Sequence, residues 1–108
     1  MTVRLPASVA EYFAGHNEND AGRVAACFAE DAAVRDEGRD IRGREAIRAW
    51  AAETQRRYRF HAEVMAVEAV ADRTAVTAHL TGDFPGSPVD LDYRFKLAGA
   101  AITLLEIG

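Results

Sequence analysis

The amino-acid sequence predicts an α+β domain whose helices come first and cover one face of a curved, mainly antiparallel sheet. Three observations predict it. Apolar residues recur at helical spacing through the first half of the chain and at alternate positions through the second, with the change near Arg57. The strand-like runs are joined by short turn signals, as antiparallel neighbours require. Helices followed by strands, without alternation of the two, place the helices together on one side of the sheet. At 108 residues the chain is the size of one domain, residues 1–108, with a single core.

The elements follow in order. Leu5, Val9, Tyr12, Phe13 and His16 form the apolar stripe of a first helix, with Glu11 and Glu18 off it and Pro6 in its first turn. Asn19 or Asp20 caps a second, shorter helix with the stripe Val24, Cys27 and Phe28. Ala32 to Asp36 reads as a short strand that pairs with Asp40 to Arg42. Gly43 precedes a third helix, with the stripe Ile47, Trp50, Ala51 and Thr54.

Tyr58, Phe60, Ala62, Val64 and Ala66 then alternate with Arg59, His61 and Glu63 in a first long strand. A turn at Asp72-Arg73 leads to a second, with Val76, Ala78 and Leu80 on one face. Phe84-Pro85-Gly86-Ser87-Pro88 is a loop. In the third long strand, Leu91, Tyr93, Phe95 and Leu97 oppose Asp90, Asp92, Arg94 and Lys96. A turn at Ala98-Gly99 opens a last strand through Ile102, Leu104, Leu105 and Ile107.

Composition excludes several classes. Apolar residues make up 49% and charged residues 28%, a globular rather than a disordered balance. A net charge of −4 argues against a nucleic-acid partner, which needs a basic face. The single cysteine, Cys27, allows no intrachain disulfide. The N-terminus lacks an apolar run with a small-residue cleavage site, and no stretch approaches the roughly 20 apolar residues of a membrane span. A cytoplasmic protein without a membrane partner is the expectation. Met65 and Val67 fall on the opposite parity from Val64, and Leu104 and Leu105 are adjacent. A sheet apolar on both faces, covered by helices on one, predicts a homodimer through the outer face.

The segment EYFAGHNENDAGRVAACFAEDAAVRDEGRDIRGREAIRAW, from Glu11 to Trp50, carries a resemblance. Its aromatic helix, its N-x-x-D cap, its F-A-E-D-A-x-V-x-D run and its G-x-x-A-I-x-x-W helix resemble the opening of the nuclear transport factor 2-like superfamily. That superfamily includes SnoaL-like polyketide cyclases and ketosteroid isomerases. The tail from Asp92 to Ile107, with its I-x-x-L-x-I ending, resembles the closing hairpin. The resemblance implies a cone-shaped half-barrel, three helices on a strongly curved sheet, enclosing a pocket for an apolar small molecule. It also implies a dimer.

Asp36 is the first candidate for chemistry. It shares the parity of Val34, so a buried Val34 aims Asp36 inward, where lost hydration raises its pKa and makes it a better base. The competing reading is an aspartate that opens the turn at Glu37-Gly38. The resemblance implies that Asp36 removes a proton beside a ketone, and that Tyr12 donates a hydrogen bond to the enolate oxygen. The two lie 24 positions apart, matching the family spacing without a gap. The competing reading for Tyr12 is a core tyrosine.

The isomerases place a second, neutral acid on the strand matching Asp90 to Phe95. Here Leu91 occupies that place, because Asp92 has the parity of the polar face. Trp50, Phe28, Phe60, Tyr93, Leu91 and Phe95 are candidates for the ligand-binding wall, with His16 at the pocket mouth. His16, His61 and His79 form no metal pattern, and His79 shares the outer face. Arg56, Arg57 and Arg59 read as a solvated basic helix end, and Cys27 as core.

Two readings stay open at this point. One is an isomerase or cyclase acting without a cofactor on an apolar ketone or polyketide-like ring, with Asp36 as base and Tyr12 as donor. The other is a non-catalytic ligand-binding or dimerising interaction domain of the same fold.

Overall fold

A computed structural model describes residues 5–108. Helix α1 (Ala7–Asn17) buries Val9, Tyr12, Phe13 and His16, the face its 3.6-residue spacing prescribes. Pro6 stands just ahead of the first turn, where its carbonyl accepts from the Ala10 N–H at 3.0 Å. Leu5 also precedes the helix and packs at the core's edge. Gly15 is required by a close crossing. A Cβ there would lie 2.9 Å from a Val24 methyl and 3.1 Å from the Val24 nitrogen.

Helix α2 (Ala21–Ala26) is capped by Asp20, whose carboxylate accepts from the Arg23 N–H at 3.0 Å. Asn19 turns the chain at φ 56 instead. Phe28, expected on this helix, opens strand β1 (Phe28–Asp36). The cause is backbone pairing. The Cys27 carbonyl accepts from the Ile102 N–H at 2.9 Å, and Phe28 lies opposite Ile102, so the helix ends before Phe28. Strand β1 is therefore longer than Ala32 to Asp36. It turns through Glu37 and Gly38, both at positive φ, into β2 (Arg39–Arg42).

Helix α3 (Arg44–Tyr58) buries Ile47, Trp50, Ala51 and Gln55. Four strands follow: β3 (His61–Val70), β4 (Arg73–Thr81), β5 (Val89–Ala98) and β6 (Ala101–Ile107). The sheet order is β2-β1-β6-β5-β4-β3, with β1 and β6 parallel and every other pair antiparallel. Over residues 5–108, three helices thus cover one face of a six-stranded, curved, mixed sheet. Among the described residues no helix is long and apolar enough to cross a membrane.

The expected parity of the first long strand fails beyond Val64. The register shifts between Val64, opposite Ala78, and Ala66, opposite Thr77. The extra residue, Met65, is 54% exposed, and Val67 now lies opposite the buried Val76 on the inner face. A bulge reverses the parity of everything after it, which alternation alone does not reveal. An irregularity between Lys96 and Leu97 likewise sets both Ile102 and Leu105 inward, leaving Leu104 beside Lys96. The outer face is consequently mixed. Leu104 and Met65 share it with ion pairs of Arg35 with Glu106 at 3.3 Å and Lys96 with Asp72 at 3.5 Å, and with a hydrogen bond between His79 and Asp90 at 2.7 Å.

One polar clamp seats the helices. The Asn17 amide donates to the Ala62 carbonyl and accepts from the Ala62 N–H, both at 2.8 Å, completing two backbone bonds at the start of β3. The Gln55 amide donates to the His16 carbonyl at 2.6 Å and to the Phe60 carbonyl at 3.2 Å. Because Ala62 is buried, Asn17→Ala leaves a donor and an acceptor unpaired. It is expected to lower unfolding free energy by about 2 kcal/mol in a urea titration. An unchanged midpoint would mean that the clamp does not hold α1.

Candidate active site

Between α1, α3, the concave sheet face and the loop 82–88 lies a cavity of about 400 Å³. Helix α1 contributes Tyr12 and His16, the end of β1 contributes Asp36 and Glu37, and α3 contributes Trp50, Thr54 and Tyr58. Phe60, Leu91, Tyr93 and the loop residues Phe84 to Gly86 complete most of the wall. The volume suits a ligand of one or two fused rings.

Asp36 is placed by β1. Val34 is fully buried, and two residues later the same face reaches the cavity. The Trp50 indole N–H donates to its Oδ2 at 3.0 Å. Burial pushes the carboxyl above its usual range. The indole bond and Arg39 oppose that shift, and Glu37 reinforces it.

Tyr12 is 2% exposed, and its ring meets Phe13 at 5.1 Å, Phe95 at 5.4 Å and Phe28 at 6.0 Å, all edge to face. Burial holds its hydroxyl well above the usual tyrosine range, with Tyr93 and Asp36 adding to the effect. Burial likewise raises Tyr93, again with help from Asp36. Both tyrosines therefore stay protonated hydrogen-bond donors around neutrality, and both respond to the Asp36 charge.

The structure brings Tyr12, Asp36, Trp50, Phe60, Leu91, Tyr93 and His16 to one cavity. Phe28 and Phe95, expected in its wall, do not line it. They are 1% and 0% exposed and fill the core behind the Tyr12 ring, because alternate positions on an inner face serve core and cavity alike. His16 is not at the mouth but inside, 2% exposed, walled by Tyr12, Phe60 and Trp50. Its pKa falls to about 4 through burial, so the imidazole is neutral. Leu91 faces the cavity, while Asp92 points outward and accepts from the Thr77 hydroxyl at 3.2 Å.

Sequence reasoning missed the indole bond to Asp36 and the loop wall. An aromatic residue inside a Pro-Gly loop, Phe84, was the available signal for the loop; its ring stands 6.0 Å from Tyr58. The bond from Trp50 had no local signal, since its partners are 14 residues apart. Elsewhere, Arg57 lies over the Tyr58 ring at 5.0 Å, and the buried Cys27 thiol is pushed up to about 11. Among the described residues no group of three His, Cys, Asp or Glu side chains is placed to hold a metal ion, and no lysine or arginine lines the cavity. The cavity's carboxylates are Asp36 and Glu37.

Three helices closed over a curved mixed sheet around one small, largely apolar cavity define the nuclear transport factor 2-like class. The chain belongs to its SnoaL-like domain family, whose pattern matches residues 9–103. It is similar to a candidate polyketide cyclase from Sinorhizobium meliloti, 36% identical, with 96% of this chain and 95% of that one covered and a TM-score of 0.91. A Catenulispora acidiphila protein with a ketosteroid isomerase-like fold, solved with trimethylamine, is 21% identical over 97% and 86% of the two chains, at a TM-score of 0.85. A candidate ketosteroid isomerase from Kribbella flavida is 18% identical over 94% and 74%, at 0.79. The last two likenesses establish the fold alone. No curated protein matches the chain.

The shifted groups set the pH dependence of stability. His16 is lowered in the fold from 6.5 to about 4, so the unfolded chain takes up its proton first. Stability is then complete above about pH 6.5 and falls by about 3 kcal/mol as pH drops toward 4. A melting series should be flatter over that window in His16→Phe than in wild type. Asp36, raised in the fold, acts oppositely: its contribution falls as pH rises through its folded-state range. Asp36→Asn should be at least as stable as wild type at pH 7, with the gap closing in acid; a less stable variant at pH 7 contradicts the raised pKa.

Proposed function

We propose that the protein is an isomerase or cyclase that enolises an apolar ketone or polyketide-like ring compound in this cavity. One observation carries the reading: a half-buried carboxylate with a raised pKa shares a small apolar cavity with protonated tyrosine hydroxyls. Asp36 takes a proton from the carbon beside the carbonyl. The C–H electron pair forms the enolate double bond, and charge moves to the oxygen, which accepts a hydrogen bond from Tyr12. The proton returns to a different carbon in an isomerisation. In a cyclisation the enolate carbon attacks a second carbonyl, and the new alkoxide takes the proton. The Sinorhizobium relative's description as a candidate polyketide cyclase supports this choice.

Leu91 removes the second acid of the isomerase pattern, but Tyr93, two positions along the same strand face, offers a hydroxyl in its stead. The indole of Trp50 holds the carboxylate in place for transfer. A second reading, a binding domain of the same fold without turnover, is favoured by that leucine.

β-Naphthol, an enolate mimic with its own fluorescence, tests the reading. Micromolar binding that weakens roughly tenfold in Tyr12→Phe and survives in Asp36→Asn is the expected result. With a substrate in hand, Asp36→Asn should lower kcat by about 10²–10⁴-fold. Binding indifferent to both changes leaves the domain without enolate chemistry.

Pairing of two copies through the outer sheet face is also part of this proposal, with Met65 and Leu104 as its apolar contacts. Sedimentation equilibrium should show a dimer that Met65→Lys weakens. A monomer at micromolar wild-type concentration rejects it.

A further inference from the structure

His16 is the unused polar group of the cavity. It lies one turn beyond Tyr12 on the same face of α1, with their ring centroids 4.7 Å apart. The rings of Phe60 and Trp50 stand 5.2 and 5.7 Å away. Among the described residues neither Nδ1 nor Nε2 has a hydrogen-bond partner, and both are sealed from the cavity that His16 lines, so a ligand atom reaches them once the imidazole turns about its Cβ–Cγ bond. A buried imidazole normally has both nitrogens satisfied, because leaving them bare forfeits the hydrogen bonds water would supply. A phenylalanine of similar volume would fill the same aromatic niche without that cost.

The other polar groups of the wall divide into two kinds. The Thr54 hydroxyl donates to the Ala51 carbonyl at 3.0 Å, and the Tyr58 hydroxyl faces Glu37 at 3.5 Å. Tyr12, Tyr93 and Asp36 are assigned above to one reacting carbonyl. That leaves His16, which as a neutral imidazole offers one N–H and one lone pair. A hydroxyl meets either nitrogen, by donating to the bare one or accepting from the protonated one. A keto oxygen meets the N–H.

We propose that His16 binds a second oxygen of the ligand, so that the natural substrate is a ring compound carrying two oxygen functions rather than a mono-ketone with a hydrocarbon frame. The first oxygen rests on the enolising reading above; the second stands on the unpartnered imidazole. His16 is then a binding residue that selects oxygenated rings. It also fixes which face and which end of the ligand meets Asp36.

The test compares β-naphthol with the set of dihydroxynaphthalene isomers, each titrated by fluorescence into wild type, His16→Phe and His16→Gln. At least one isomer should bind wild type about tenfold more tightly than β-naphthol. That advantage should vanish in His16→Phe and return in part in His16→Gln, whose amide keeps a donor and an acceptor. Should His16→Phe fail to fold, the imidazole nitrogen NMR spectrum of wild type reads the contact directly. The preferred diol should shift the His16 ring nitrogens, and β-naphthol should shift them less.

If β-naphthol binds through Tyr12 but no diol gains, or the gain persists in His16→Phe, the second-oxygen proposal fails and the enolising reading stands. If the diol advantage depends on His16 while Tyr12→Phe and Asp36→Asn change nothing, the enolising reading fails and the His16 contact stands. If no naphthol of either kind binds wild type, both fall.

Discussion

The structure depends on seating the aromatic face of α1 in the concavity of the sheet. Tyr12 alone meets five rings: Phe13, His16, Phe28, Tyr93 and Phe95. Burying that cluster supplies much of the apolar burial that holds helix to sheet. The Asn17 and Gln55 clamp then fixes the depth and rotation of the helix by pairing backbone groups that the sheet edge and helix end would otherwise leave open. Displace α1, and Tyr12, His16 and the cavity's inner wall move with it.

The same burial produces the chemistry. Water removed from the concave face raises the tyrosine hydroxyls and the Asp36 carboxyl and lowers His16. Each shift favours the neutral form. The cavity thus holds hydrogen-bond donors that do not ionise, and a base whose proton affinity has risen. An apolar wall makes these polar groups act more strongly than in water, and it confines them to a few directions. Trp50 is the counterweight. Its indole N–H stabilises the ionised carboxylate and so limits how far burial raises it.

Two local irregularities decide which side chains reach which face. The bulge at Met65 turns Val67 inward, and the shift near Lys96 turns both Ile102 and Leu105 inward. Both bend the sheet, and curvature is what leaves room for a cavity beneath the helices. The outer face receives what remains: a lattice of ion pairs interrupted by Met65 and Leu104.

The α+β class, the order of helices and strands, and the inward parity of Leu91, Tyr93 and Asp36 were legible in the sequence, because periods of 3.6 and 2 are local consequences of backbone geometry. The family and the Tyr12 and Asp36 candidates were legible too, carried by motifs that span contiguous segments. Tertiary structure alone decided the rest. Whether an inward aromatic packs the core, as Phe28 and Phe95 do, or walls the cavity, as Phe60 and Tyr93 do, depends on what faces it across the fold. The bulge, the Trp50–Asp36 bond and the bare nitrogens of His16 depend on partners distant in the chain, and no local pattern encodes a contact between residues that only folding brings together.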